Sequence, residues 1–222
     1  KWGKNNWLPI SPLLPMEIRP VEHKSFAKEF DKKLFDEKND KNKSVENFLR
    51  LARWTLSRGK IAELHKVMTE AVKLDAANPL VKNYLRVKKD LQMPFKDDDP
   101  AQLDLLSQIR AQGNKQIDSE RAHFRMFYTP NAANDLATKA SVVRRLALME
   151  ETLDSFYYWF ALQEKSPQPN LPKHRLNSLL AGSQESFTTE HLKWGQTAMV
   201  ADGFTPRRDN FVVMSAKPRI QD

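Results

Sequence analysis

Residues 121–128 read Arg-Ala-His-Phe-Arg-Met-Phe-Tyr, and the hydrophobic period of the chain changes at this point. Phe124, Met126 and Tyr128 occupy alternate positions, which predicts a β-strand because strand side chains point to opposite faces in turn. Helical periodicity precedes these residues, and a mixture of helix and strand follows them. We therefore expect an α+β protein, in which an amino-terminal helical, repeat-like module precedes a small mixed α/β domain.

The residues before this strand predict a succession of helices. Ser44 can accept hydrogen bonds from the free amides of a first turn, and apolar residues then recur every three or four positions until Gly59. A second helix is expected over residues 61–74. A third begins at Pro79, where the missing amide costs nothing, and runs to about residue 91.

The acidic run Asp97-Asp98-Asp99-Pro100 precedes a further helix that ends at Gly113. Three aspartates could bind a divalent cation. Acidic groups also favour the positive end of a helix dipole, and calcium loops need alternate ligands with a distal carboxylate, so we favour the helix-start interpretation. Residues 113–119 are polar and predict a break. The expected parts are a proline-rich arm with a charged helix or loop over 1–43, the helical module over 44–112, and the α/β part over 120–217.

The first 20 residues form a proline-rich arm that cannot be helical, because each proline ring fixes φ and pushes its predecessor towards extended geometry. The arm is also rich in tryptophan, leucine and isoleucine, so we expect it to lie against its own domain or, as the alternative, against a partner. The charged run at residues 36–43 is expected to be a solvated loop or a frayed helix end.

The residues after the strand predict alternating helix and strand. A turn at residues 129–131 leads into a long helix over about 133–162, whose aromatic run 156–160 is interpreted as core rather than as a stacking platform for a ligand. Next come a buried strand, a helix capped by Gly182-Ser183, and a hairpin of two short strands. Their expected positions are Leu176–Ala181 for the buried strand, a helix through Phe187 to Gly195, and Ala198–Ala201 with Phe211–Ser215 for the hairpin.

The composition excludes several classes of protein. The chain has 222 residues and no cysteine, which excludes disulfides, thiol nucleophiles, iron–sulfur clusters and cysteine zinc sites. Its 36 Lys and Arg against 28 Asp and Glu give a formal charge of +8, but the excess is spread along the chain and forms no basic stripe, so we expect no nucleic-acid partner. We also expect no membrane span, since no apolar run is long enough.

The sequence contains no complete catalytic set. Its five histidines show no pair at metal-ligand spacing, and the zinc-peptidase pattern His-Glu-x-x-His does not occur. His23 and His191, each preceded by a glutamate, are interpreted as surface or packing residues. Glu150 and Glu151 point about 100° apart on a helix and make a poor acid/base pair. We therefore assign no catalytic and no metal-binding residues.

The stretch that contains Leu51 to Pro79 resembles a single tetratricopeptide-type repeat. Large, small and glycine residues occur where such repeats place them, at Leu51, Ala52, Gly59, Leu64, Met68 and Ala71, and Leu74 to Pro79 resembles the usual repeat ending. One repeat cannot bury its own face. We therefore favour a helical hairpin used for internal packing over a peptide-binding solenoid.

The run Val200 to Val213, together with Phe156 to Leu162 and His123-Phe124-Arg125, resembles a planctomycete family of unknown function with a peptidase-MA-like domain. The helical start at Leu51 to Leu56 is also similar to these proteins, so the resemblance covers about residues 44–217. It implies the front half of a zinc-peptidase fold of the gluzincin type. The sequence shown stops at Asp222, before the expected metal helix, so zinc is implied only if such a helix follows.

In this architecture the strands before the metal helix often form the edge that supports a peptide substrate. By that resemblance, the substrate-edge residues of this chain are Asp202, Gly203, Phe204, Arg207, Arg208, Asp209 and Asn210. The alternative is that this segment is simply a turn, because Asp-Gly, Thr-Pro and Asp-Asn are turn formers.

We expect the chain to be the amino-terminal portion of a peptidase-MA-like protein, inactive as it stands, with zinc peptidase activity only if the chain continues. The alternative is a non-enzymatic protein-binding or structural subunit that uses the helical module and the proline-rich arm. The expected partner is another protein or the remainder of the same chain. The resemblance also implies export from the cell.

Overall fold

The computed structural model describes residues 25–129, 138–193, 203–205 and 211–216. The fold is α+β with an amino-terminal helical part, as the sequence predicts. Among the described residues, none of the helices is both long enough and apolar enough to cross a bilayer.

Four helices form the amino-terminal part: α1 Phe26–Asn39, α2 Val45–Leu56, α3 Ile61–Leu74 and α4 Pro79–Asp90. Their ends follow the local signals, since the Ser44 hydroxyl accepts a hydrogen bond from the Asn47 amide at 3.3 Å and Asn78 caps α4 just before Pro79. Gly59 separates α2 from α3 with a φ of +66°, in the left-handed region that glycine tolerates. Because α1 ends at Asn39, the predicted charged segment is a helix end followed by a turn.

A short 3₁₀ turn at Pro100–Gln102 and helix α5, Leu103–Ala111, connect the helical part to a five-stranded sheet. The strands are β1 Lys115–Asp118, β2 Phe124–Tyr128, β3 Leu176–Ala181, β4 Gly203–Phe204 and β5 Phe211–Ser215. Their order is β1-β2-β3-β5-β4, with β2, β3 and β5 parallel and with β1 and β4 antiparallel at the two edges.

Two helices lie between the parallel strands in sequence and pack on opposite faces of the sheet. Helix α6, Lys139–Ala161, packs on the face formed by Phe124, Met126 and Tyr128. Helix α7, Gln184–Lys193, joins α5 on the other face, around Phe127. Strand β2 is therefore buried on both faces, so its alternating pattern does not separate core from solvent.

Helix α6 also completes the core of the helical part. Tyr157, Tyr158 and Leu162 pack in the same apolar cluster as α1 to α4, and the Arg53 side chain of α2 donates from Nε to the Leu162 carbonyl at 2.9 Å. The repeat-like hairpin of α2 and α3 thus packs internally, against α6 among other elements. One helix contributes to both the helical core and the sheet core.

Three expectations differ from the structure. The polar break at 113–119 contains strand β1, because an edge strand needs backbone pairing with β2 rather than apolar side chains. Strand β5 pairs with Gly203–Phe204, in the segment expected to be a turn, while the predicted strand Ala198–Ala201 lies outside the described residues.

The third difference concerns the buried face of α6. The aromatic run 156–160 is expected to belong to the core, but Phe156 and Trp159 are 48% and 45% exposed. The buried line instead passes through Val142, Leu146, Glu150 and Asp154, because charged partners from the β1–β2 turn allow the two carboxylates to be buried.

Candidate functional site

The described part of the predicted substrate edge is strand β4. Gly203 pairs with Met214 and Phe204 pairs with Val213, both on β5. Asp202 lies outside the described residues, as do Arg207 to Asn210. Of the seven residues that the family resemblance singles out, the structure therefore places two, and it places both at the antiparallel edge of the sheet.

Gly203 allows the close approach of β4 to β5. A Cβ atom at this position would lie 3.2 Å from the Val213 carbonyl oxygen, which is tighter than ordinary van der Waals contact. The contact is with backbone rather than with a flexible side chain, so any larger residue must push the two strands apart. Glycine is required at position 203 because the gap between β4 and β5 is too narrow for a side chain.

Phe204 anchors this edge to helix α7. Its buried ring lies 5.7 Å from the Phe187 ring and 5.3 Å from the His191 ring, the latter edge-on. His191 is itself buried, and its Nε2 atom has no hydrogen-bond partner among the described residues. Its ring packs against Phe204, so it is a packing histidine.

A second group of polar residues lies between the sheet and α6. His123, which has no exposed surface, places Nδ1 2.7 Å from Glu150 Oε2, and its Nε2 donates to the Met93 carbonyl at 3.0 Å. Both ring nitrogens face oxygen atoms, so hydrogen bonds fix the orientation of the imidazole at both ends. The ring also lies 4.2 Å from the Phe95 ring.

Arg121, in the β1–β2 turn, holds the two buried carboxylates of α6. It lies 2.8 Å from Glu150 Oε2 and 2.9 Å from Asp154 Oδ1. Burial by itself would raise the pKa of Glu150, but the hydrogen bond with His123 and the charge of Arg121 outweigh it and lower that pKa. For Asp154 burial outweighs the attraction of Arg121, and its pKa is raised.

Arg125 is the centre of a neighbouring ion network on the other side of β2. It contacts Asp118 through Nε at 2.7 Å and Nη2 at 3.1 Å, and Asp98 through Nη1. Burial opposes the ionisation of Asp118, but the hydrogen bond and charge of Arg125 lower its pKa. Asp98 is thus an arginine partner and Asp99 caps the following turn, so two of the three adjacent aspartates have structural roles.

A cavity of about 390 Å³ lies between the β1–β2 turn and α6. Glu150 and Ser119 both contribute to its wall, and hydrogen bonding from the Ser119 side chain helps to lower the pKa of Glu150. The lining residues are Ile117, Asp118, Ser119, Glu120, Arg121, Val143, Leu146, Ala147, Glu150 and Glu151. As the sequence predicts, Glu150 and Glu151 diverge, since one is buried and the other exposed.

The remaining described histidines are dispersed. His65 Nδ1 lies 2.7 Å from the Tyr84 hydroxyl, and His174 Nδ1 lies 3.2 Å from the Asp97 carbonyl. Within the described ranges, no three His, Asp or Glu side chains are arranged so that they could hold a metal ion. His23 lies outside those ranges.

Sequence reasoning named Glu150 only to reject it as an acid/base partner of Glu151, and it did not name Asp154. Glu150 and Asp154 continue the four-residue spacing of Val142 and Leu146. The sequence feature that could have predicted their burial is therefore this alignment of two carboxylates with the apolar residues of the same helix face. That signal is weak, because the arginine and histidine that neutralise the pair are about 30 positions away in the sequence.

Comparison with protein-family models, with curated proteins and with solved structures gave no match.

Proposed function

We propose that the chain supplies the helical module and the substrate-supporting sheet of a peptidase-MA-like protein, and that residues 1–222 bind an extended peptide without hydrolysing it. The observation that carries this proposal is strand β4, a short antiparallel edge strand on a sheet whose central strands are parallel. An edge strand can pair with an extended peptide through backbone hydrogen bonds. The family resemblance implies this use of the same segment.

The surroundings of β4 suit such a role. Phe204 fixes the strand to α7, and Gly203 allows it to lie close against β5, so the edge is held in place before a peptide arrives. The sequence has no His-Glu-x-x-His, and the described residues hold no metal-binding group, so no hydrolytic step is assigned to them.

Fluorescein-labelled casein tests both halves of the proposal. We expect its fluorescence polarisation to rise with protein concentration, and we expect no release of labelled fragments with added zinc. Gly203→Val should weaken binding at least several-fold by displacing β4. Gln116→Val, on the opposite edge strand β1, should leave binding unchanged. Release of labelled casein fragments that a chelator abolishes would contradict the proposed absence of hydrolysis. Equal losses of casein binding in the two variants would contradict the assignment of β4 as the peptide-binding edge.

A second candidate function is that of a non-enzymatic protein-binding or structural subunit. The observation that favours it is the exposure of large apolar side chains on helices, with Phe35 of α1 66% exposed and Leu192 of α7 68% exposed. The mass of the protein or its complex in solution tests this function. We expect Phe35→Ser and Leu192→Ser to reduce any association that this measurement detects. A strictly monomeric protein that captures no partner would count against this function.

A further inference from the structure

Helix α6 exposes an apolar stripe on its outer side. Leu148, Phe156 and Trp159 are 62%, 48% and 45% exposed, and we call these three residues the α6 stripe. At 100° per residue they fall within an arc of about 80°, and they span about 16 Å along the helix. Two aromatic rings and a leucine on one helix face form the kind of surface that another apolar segment covers.

The proline-rich arm joins the described fold close to one end of this stripe. Ser25 caps α1, and the next residue, Phe26, stacks on the Trp54 ring of α2 at 5.1 Å. Arg53, adjacent to Trp54, donates to the carbonyl of Leu162, which lies one turn beyond Trp159. Phe26 also packs against the apolar cluster that contains Tyr158 and Leu162, so the arm joins the fold in the part of the molecule that holds the carboxyl end of α6.

The composition of the arm complements the stripe. Residues 1–24, which lie outside the described residues, contain Trp2, Trp7, Leu8, Ile10, Leu13 and Leu14. The four prolines among the first 20 residues reduce the conformational freedom of the unbound chain, so docking costs less entropy than it would for a flexible tail. Twenty-four extended residues reach up to about 80 Å, far more than the length of the stripe.

We propose that residues 1–24 dock on the α6 stripe of the same chain and cover it. This intramolecular occupant is favoured because the arm is tethered to the helical core that α6 completes, which raises its effective concentration above that of a second copy or of another protein. The proposal is independent of any activity at strand β4, since the stripe lies on α6 and β4 packs with α7 on the opposite face of the sheet.

Cysteine cross-linking tests the position of the arm. The chain has no cysteine, so an introduced pair gives an unambiguous product. Asn6→Cys is combined with Thr152→Cys, an exposed position between Leu148 and Phe156 on the same helix face. The matched control combines Asn6→Cys with Thr188→Cys, an exposed threonine of α7.

With a short bismaleimide, we expect the intramolecular product of the Thr152 pair to exceed that of the Thr188 pair at least five-fold. Equal yields would overturn the proposal. A product with twice the mass of the chain would also overturn it, because it would identify a second copy as the occupant.

A dye measurement examines the same contact without a linker. The double variant Trp2→Ser with Trp7→Ser should raise the fluorescence of an added apolar dye several-fold by uncovering the stripe, and adding Trp159→Ser should reverse most of that rise. Adding Leu192→Ser instead should reverse little of it. Dye fluorescence that the arm variant does not change would contradict the docking.

Discussion

His123 Nδ1 lies 2.7 Å from Glu150 Oε2, in a contact that joins the start of β2 to the middle of α6 where His123 has no exposed surface. The two residues are 27 positions apart in the sequence. Arg121 contacts the same carboxylate oxygen, so His123 and Arg121 both bind one buried oxygen atom of Glu150. This contact fixes α6 against the sheet, and α6 in turn completes the core of the helical part.

His123→Ala should lower the free energy of unfolding by about 2 to 4 kcal/mol, because it removes a partner of a buried carboxylate and leaves the Met93 carbonyl without its donor. Urea denaturation followed by circular dichroism measures the change. His174→Ala, which removes a single long hydrogen bond, should cost less than about 1 kcal/mol. Similar decreases in the free energy of unfolding in the two variants would show that the buried His123–Glu150 contact stabilises the fold no more than the exposed hydrogen bond of His174.

His65 makes the free energy of unfolding depend on pH. Burial, followed by the charges of Lys88 and Arg121, lowers its pKa in the folded state below the ordinary value of 6.5. The unfolded chain therefore takes up a proton at higher pH, so stability falls as the pH drops through 6.5 towards the folded pKa. His65→Gln should flatten this part of a melting-temperature profile, whereas Thr69→Ala on the same helix should keep it.

Arg125→Met should reduce the free energy of unfolding by about 1 to 2 kcal/mol, because Asp118 and Asp98 lose their shared guanidinium and keep only the more distant Arg175 and Arg110. Arg125→Lys should recover only part of this loss, since an ammonium group cannot reproduce the two-point contact with Asp118. Arg50→Met provides the control, as its side chain is 74% exposed. Full recovery by lysine would refute the importance of the two-point geometry.

Gly203→Ala should weaken the pairing of β4 with β5 and cost about 1 kcal/mol, since the added methyl group meets the Val213 carbonyl. Hydrogen exchange should become faster at the β5 amides and stay unchanged on β2. Thr205→Ala, at an exposed position just after β4, should leave both strands protected. An unaltered exchange rate on β5 in the glycine variant would argue against the close approach.

Gly59→Ala should destabilise the α2–α3 connection by about 1 kcal/mol, because the φ of +66° is unfavourable for a residue with a Cβ atom. Apart from Gly59 and its two chain neighbours, none of the described residues has an atom within 4 Å of the added carbon, so the cost is conformational rather than steric. Gly59→Asn should cost less, as asparagine enters the left-handed region more readily. Thermal melts of the two variants measure the difference, and equal melting temperatures would contradict the conformational explanation.

The local signals in the sequence predicted much of the fold. The start of α2 at Ser44, the span of α3 and the bounds of β3 at Leu176–Ala181 agree with the structure. Each depends on residues a few positions apart, such as a capping hydroxyl or an uninterrupted apolar run. The edge strand β1 was missed because pairing with β2 supplies its stability.

The candidate site was less accessible from the sequence. The resemblance pointed to Gly203 and Phe204, but the packing of Phe204 on His191 depends on α7, which no local pattern connects to β4. The burial of Glu150 and Asp154 was not predicted, because a sequence pattern shows hydrophobicity and not the position of a distant arginine.

The amino-acid sequence by itself determined the α+β class and the positions of the elements that local signals mark, such as α2, α3 and β3, because capping, proline geometry and apolar period act over neighbouring residues. Tertiary structure alone decided which face of α6 is buried and which strands lie at the edges of the sheet. Burying a charged side chain requires an oppositely charged partner at hydrogen-bonding distance, and chain folding brings that partner from about 30 positions away.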